Sequence, residues 1–436
     1  MIISERAVER RIKRANTDWW INEKAIVGAN GKTYIAYFND IGEIHVKEMD
    51  ARCSHAVSRD VTLTRFNGSY ADEHNAPSIC ILENGRIVIA YTAHAMTHTL
   101  KYRVTQNPYD LDSFGPERVL QYQSSVTYAQ LFENTKRHEL WLFTRVNRVT
   151  WEFRRSPDEG ESWTEPFTFL VSDAGGLFYF DVRRQLLPDD DGCPKEQWFF
   201  ALYGHPLGSK DHTIRAGIFN DDGELVHLNG EKDGMCLLDA ASGRIVLERL
   251  DTVYASPEGT TVRLLEVAPT LPYRVGLATF IPDRPETITY YMASWRDGAF
   301  RLSAPICKGG EFLSLPRVRD GSQSYVGGMA CYYGVGACGI RPNPPFADIG
   351  IDRVFIARFD GKDRLLESYV SPDLGESYAL EQVIRRLNTP DNRKIWRPTV
   401  PIYAQDNMPV YWHEGTYTAH TGGWHCDTVM YVEYDD

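Results

Sequence analysis

The sequence predicts an all-β fold, a single seven-bladed β-propeller of four-stranded antiparallel blades spanning residues 1–436. Three observations lead there: alternating apolar runs that recur roughly every fifty to eighty residues, an eight-residue turn motif that occurs twice, and two histidines held at a hairpin offset.

The runs come in order as Lys32–Phe38, Gly85–Tyr91, Glu139–Phe143, Gln197–Tyr203, Arg274–Phe280, Ser324–Met329 and Met408–Trp412. Each is rich in β-branched and aromatic residues, and each reads as the second strand of a hairpin. A short innermost strand precedes it, as in His74–Ile81, Tyr128–Phe132, Phe180–Leu186 and Arg397–Ile402. An open array of sheets would leave unpaired edges, so strands from both termini are expected to close the ring, with Thr428–Tyr434 in the last blade. The turn motif is Ser156–Trp163, Ser-Pro-Asp-Glu-Gly-Glu-Ser-Trp, and it returns as Ser371–Tyr378 with Tyr for Trp. Asp and Gly suit a tight turn, and the ring supplies apolar burial.

Composition sets outer bounds. At 43% hydrophobic and 12% aromatic, the chain can bury a large core. A formal net charge of −12 disfavours nucleic acid and anionic membranes as partners. No run reaches the ~18 apolar residues of a membrane span. Met1–Arg6 lacks an apolar signal core, so the expectation is a cytoplasmic protein. The cysteines at 53, 80, 193, 236, 307, 331, 338 and 426 form no CxxC pair and read as reduced thiols. Cys426 beside His425 is the candidate for a structural metal. Gly334–Gly339 matches a dinucleotide fingerprint, but Ile340–Pro345 follows, and its prolines cannot open the helix that a pyrophosphate needs. A glycine-rich loop is the reading there.

An antiparallel hairpin returns the chain to its starting end, so residues before its first strand and after its second share one rim. That argument brings His74 to His94, twenty residues on, and Tyr128 to Arg145, seventeen residues on. It also brings Tyr179 to Tyr203 and His205, and Arg397 to His413. A rim of His, Tyr and Arg suits proton abstraction from C5 of a uronate. The reaction becomes feasible once the carboxylate charge is neutralised, and the fixed fork of arginine grips a carboxylate bidentately. Histidine or tyrosine would carry the protons, a tyrosine base needing its pKa of about 10 lowered by a cation such as Arg145. Plainer roles compete. His74 with Asn75 can brace a turn, Tyr128 is one of 24 tyrosines, and Arg145 can be a solvated charge like Arg148, Arg154 and Arg155. His98, His420 and His425 receive no role.

The two turn motifs resemble the Asp-boxes of BNR-repeat propellers, where Asp and Ser bind backbone groups and the aromatic ring packs between blades. Residues 70–150 resemble the seven-bladed BNR-repeat polysaccharide lyases, which include ulvan lyases and L-rhamnose-α-1,4-D-glucuronate lyases. His74 within Asp-Glu-His-Asn-Ala-Pro, His94, Tyr128 and Arg145 carry that resemblance. It implies β-elimination on an acidic oligosaccharide or polysaccharide. Arg145 would neutralise the carboxylate, His74, His94 and Tyr128 would handle protons, and no metal or other cofactor would be required. Asn75, Tyr203, His205, Arg397 and His413 are the expected substrate-binding residues, Tyr203 matching a further tyrosine of the ulvan enzymes more loosely. The link from His94 to Tyr128 is short for these families, and their characterised members are generally exported.

Two other classes stay open. A glycoside hydrolase resembling α-L-rhamnosidases would need a carboxylate pair, which Asp72, Glu73, Asp181 or Glu414 would have to supply. A sialidase is disfavoured because Trp19–Lys24 contains no Arg-Ile-Pro. A non-catalytic carbohydrate-binding propeller would show an aromatic platform without clustered acid-base groups.

Overall fold

The computed structural model describes residues 7–18, 21, 23–50, 59–66, 72–171, 178–188, 194–204, 212–268, 273–313, 325–332, 352–388, 393–402, 410–419 and 423–433. Seven antiparallel sheets follow one another along the chain as the blades of a propeller. Blade one holds Ala25–Val27, Lys32–Asn39, Glu43–Asp50 and Arg59–Arg65. Blade two holds Ser78–Ile81, Ile87–Tyr91, Thr99–Val104 and Arg118–Gln121. Blade three holds Val126–Asn134, Glu139–Val146, Thr150–Ser156 and Phe167–Val171. Blade four starts with Phe178–Pro188, Pro194–Gly204 and Thr213–Asn220. Blade five holds Thr261–Ala268, Arg274–Ile281, Arg284–Arg296 and Ala299–Leu302. Blade six holds Met329–Cys331, Asp352–Phe359, Arg364–Ser371 and Ala379–Leu387.

Blade seven joins the two ends of the chain. Arg393–Thr399, Val410–Ala419 and Gly423–Glu433 supply its inner strands, and Ala7–Ile12 adds the outermost one, with Ala7 opposite Glu433 and Ile12 opposite Thr428. The expected closure by both termini is therefore present. It leaves Gly423–Glu433 with partners on both sides.

Two expectations need correction. Ser324–Met329 is not the second strand of a hairpin: Met329–Cys331 is the innermost strand of blade six and pairs with Asp352–Phe359. The cause is the Gly327-Gly328 pair. A Cβ on Gly327 would stand 2.0 Å from the Ala357 carbonyl oxygen, and Gly328 has a φ of +115°, so the backbone there is a close approach and not a regular strand. Blade four is also larger than four strands, because Thr213–Asn220 pairs with both Glu224–Val226 and Asp251–Ala255, and blades one and five each carry a further two-residue strand, Ala15–Asn16 and Cys307–Lys308. The fingerprint-like Gly334–Gly339 and the proposed end at Tyr434 lie outside the described residues.

The inner strands of the blades bury both faces against their neighbours. All residues of Val126–Asn134 and Glu139–Val146 are buried. Large rings fill the wedge between blades, as where Trp141 of blade three meets Trp198 of blade four with centroids 4.2 Å apart. The two Asp-boxes hold these wedges from outside. In the first, Asp158 Oδ1 accepts from Ser162 N–H at 2.7 Å and from Ser156 Oγ at 2.9 Å, and Ser156 Oγ accepts from Gly160 N–H at 2.7 Å. That turn sets Trp163 edge-on against Tyr102 of blade two, at 5.7 Å. In the second, Tyr378 Oη donates to Asp352 Oδ2 at 3.2 Å, and the same carboxylate pairs with Arg274 of blade five at 2.7 Å. Among the described residues no helix is long and apolar enough to cross a membrane.

Removing residues 1–12 strips the outer strand from blade seven and bares the edge of Gly423–Glu433. The truncated protein is expected to melt more than about 5 °C lower and to associate through the exposed edge. Thermal unfolding with size-exclusion chromatography checks this, and an unchanged melting temperature with a monomeric elution would refute it.

Candidate active site

The site begins on the short turn Glu73–Asn75, which leads into the innermost strand of blade two. Asp72 caps that turn by accepting from His74 N–H at 3.0 Å. The same carboxylate meets two imidazoles: Oδ1 lies 2.5 Å from His74 Nδ1, and Oδ2 lies 2.8 Å from His94 Nδ1. His94 arrives from the far end of the hairpin. Its N–H donates to Asn75 Oδ1 at 2.7 Å, and Ala95 N–H donates to Thr127 Oγ1 of blade three at 3.1 Å. The rings stack at 4.1 Å and 14°. The hairpin argument thus brings His74 to His94, while Asn75 holds the loop that carries His94. The His74 side chain is 4% exposed and that of His94 is 22% exposed, so His94 is the one more open to solvent.

Blade three adds the next pair through a bulge. In its inner hairpin Thr127 faces Arg145 and Gln130 faces Phe143, so Tyr128 and Ala129 together oppose Thr144. Tyr128 accordingly has a φ of +64°, a left-handed conformation that a bulge imposes and that re-aims the side chain. Its ring lies 6.0 Å from His74 and 6.2 Å from His94, with Trp151 at 6.1 Å. The Arg145 guanidinium carbon sits 4.5 Å from the Tyr128 centroid and 5.8 Å from that of Tyr179, within cation–π range. Arg145 is only 3% exposed, yet among the described residues its Nε and Nη1 have no hydrogen-bond partner. No described carboxylate pairs with it.

Electrostatics separate the roles. Burial pushes the Asp72 carboxyl up, but the two imidazoles outweigh it and hold the group well below the usual carboxylate range. Tyr128 goes the other way. Burial raises its phenol, and Arg145 offsets only part of that rise. Arg145 does pull the Tyr128 phenol down, but desolvation outweighs it, and the phenol stays protonated, fit to donate a proton.

The remaining candidates divide. Tyr203 is buried opposite Tyr179, with centroids at 5.4 Å. Its phenol is pushed up to about 12 by burial, and its hydroxyl has no hydrogen-bond partner among the described residues. Arg397 repeats the blade-three bulge in blade seven, with a φ of +47°, and pairs with Asp18 at 3.2 Å. His413 is a core residue. Its Nε2 accepts from Thr17 N–H at 2.9 Å, its ring stacks on Trp396, and burial, helped by Lys24 and Arg397, holds it well below the ordinary imidazole range. His205 and His420 lie outside the described residues.

Sequence reasoning missed several members. Asp72 was weighed only as half of a hydrolase pair. Tyr325, whose hydroxyl lies 3.2 Å from that of Tyr179, was hidden in a run read as a strand. Arg263, buried in the inner strand of blade five, was not considered, although its place near the start of that strand matches Tyr128 in blade three.

The carboxylates that a hydrolase would use are otherwise engaged. Glu73 accepts from Tyr417 Oη at 2.5 Å, Asp181 pairs with Arg183, and Glu414 is held by Arg385, Arg393 and Arg11. Cys426 Sγ donates to the Ala15 carbonyl while His425 is exposed near Asp40, so these two do not converge on a metal. The five described cysteines are free thiols. Asp72, His74 and His94 have donor atoms within 4.8 Å of one another, the one group among the described residues that could gather round a metal ion. Their 2.5 and 2.8 Å separations are those of hydrogen bonds, with no room for a cation between oxygen and nitrogen.

No curated protein matches the sequence. Residues 32–168 match a BNR repeat-containing family. Among solved structures, an ulvan lyase described as a new family of polysaccharide lyase and bound to -[GlcA(1-4)Rha3S]- is similar, with a TM-score of 0.63 and 15% identity, covering 98% of this chain and 96% of that one. A second structure of ulvan lyase gives 0.62 and 16% over the same shares. The chain is therefore a seven-bladed β-propeller with the fold of these lyases, in which residues 32–168 match the BNR repeat-containing family.

Proposed function

We propose that this protein is a carbohydrate-active lyase that cleaves a uronate-linked saccharide by β-elimination. The observation that carries the reading is Arg145: a guanidinium 3% exposed, without a carboxylate or a hydrogen bond on Nε and Nη1 among the described residues, beside two imidazoles and a phenol. A buried cation of that kind is costly unless something planar and anionic completes it. A uronate carboxylate does so bidentately.

In the proposed step an imidazole nitrogen of His74 or His94 takes the C5 proton, and the electron pair of that C–H bond passes into an enediolate whose charge Arg145 stabilises. The pair then forms the C4–C5 double bond as the C4–O bond breaks. The leaving oxygen takes the proton of Tyr128, and solvent returns the imidazole proton to the tyrosinate. No water is added to either sugar. A glucuronate–rhamnose linkage is the proposed substrate class, because that is the chain bound by a lyase of the same fold.

An α-L-rhamnosidase-like hydrolase would leave both sugars saturated. Incubation with glucuronate–rhamnose oligosaccharides, followed by ultraviolet absorbance and mass spectrometry in isotopically labelled water, separates the two. The expected product is an unsaturated uronate, and a saturated acid carrying solvent oxygen would overturn the reading.

Two variants test the parts. Tyr128→Phe is expected to lower kcat by about 10²–10⁴-fold while the propeller stays folded. Arg145→Met is expected to abolish turnover and yet to be as stable as wild type or more so, by up to about 1–3 kcal/mol, since it removes buried donors that lack partners. Chemical denaturation measures the second effect, and a clear loss of stability would make Arg145 a structural residue.

A further inference from the structure

We infer that Asp72 is the positioning residue of this site, its single carboxylate fixing His74 and His94 in one tautomer with Nδ1 protonated and Nε2 turned away as an acceptor. The inference rests on the elimination reading for its catalytic consequence, but its structural content stands on geometry alone. An ionised carboxylate only accepts hydrogen bonds, so a ring nitrogen 2.5 or 2.8 Å from its oxygens must be the donor. In a neutral imidazole the other nitrogen is then bare.

Three further contacts keep the arrangement from relaxing. His74 N–H also donates to Asp72 Oδ1, tying backbone and ring of one residue to the same atom. Asn75 holds the backbone of His94, and the rings stack on each other. Among the described residues, the titratable and charged groups around the trio are Glu73 on the same turn, with Tyr128 and the Arg145 above its ring from blade three. None of these is placed to replace the carboxylate as acceptor for both Nδ1 groups. With Nδ1 of each ring held by one carboxylate, Nε2 of His94, the more open ring, is the acceptor placed to serve as base, next to a phenol held protonated. When that ring takes the C5 proton it becomes an imidazolium paired with Asp72, while the other ring keeps its tautomer.

The test uses the full chain with nitrogen-labelled histidine and the variant Asp72→Asn. Long-range nitrogen–proton correlation spectra of the wild type are expected to place the ring proton of both His74 and His94 on Nδ1. An asparagine side chain offers one acceptor and one donor group, so one of the two rings in the variant should turn to the Nε2–H tautomer. On a glucuronate–rhamnose oligosaccharide, kcat should fall about 10²–10⁴-fold. KM should stay within about threefold, because Arg145 is untouched. Wild-type rings protonated on Nε2 would overturn the inference by themselves, even if the variant did not fold. So would a folded variant with wild-type tautomers and a kcat within about threefold of wild type. The spectra need no substrate. A saturated product would therefore defeat the elimination reading while leaving the tautomer result to decide this one.

Discussion

Ring closure is the constraint from which the rest follows. Pairing of Ala7–Ile12 with Gly423–Glu433 leaves the last blade with no bare inner edge, and the seven innermost strands must then converge on one axis. Convergence leaves little room there for ordinary apolar packing, and side chains from several blades meet within hydrogen-bonding or ring-contact distance. His74, Tyr128, Tyr179, Tyr325 and Arg397 come from five different blades and still form a chain of contacts. A site of this kind is sensitive to closure even though no residue of Ala7–Ile12 takes part in it.

Charges brought to such an axis are expensive, and the protein deals with most of them by pairing. Arg397 has Asp18, Arg183 has Asp181 and Glu23, and the Tyr417 hydroxyl donates to one oxygen of Glu73. Arg145 stands apart among these in having aromatic faces instead of an anion. Cation–π contact recovers about 0.5–2 kcal/mol, less than a carboxylate would. The difference is held in reserve for whatever anion enters.

How far the sequence could lead depended on the range of the interaction involved. Strand period and hairpin return are local, and from them the pairs His74 with His94 and Tyr128 with Arg145 could be placed correctly. The Asp-box turns were legible for the same reason: the hydrogen bonds that the Ser and Asp side chains make to shape each turn close within four residues. Three things were not legible. The bulges at Tyr128 and Arg397 depend on register between strands, and no residue type announces them. The neutral, packed state of His413 depends on burial beside Lys24 and Arg397, and its Nε2 is held by Thr17, nearly four hundred residues away in the chain. The direction of the Tyr128 shift is a contest between burial and a cation, and residue identity supplies the cation without revealing how deep the phenol lies.

That contest also bears on how an acidic protein would recruit the acidic saccharide proposed as its substrate. With a net charge of −12 the long-range field repels a polyanion, and at physiological salt it fades beyond about 8 Å. Recognition must therefore happen at contact, from cations whose charge has not been spent on neighbours. Arg397 lies close by but shares its charge with Asp18, so a carboxylate moved toward it would meet a neutralised pair. Arg145 lies against the rings of Tyr128 and Tyr179, and no carboxylate among the described residues pairs with it. In the proposed reaction a carboxylate held at Arg145 would bring C5 and the leaving oxygen next to Tyr128 and the two imidazoles.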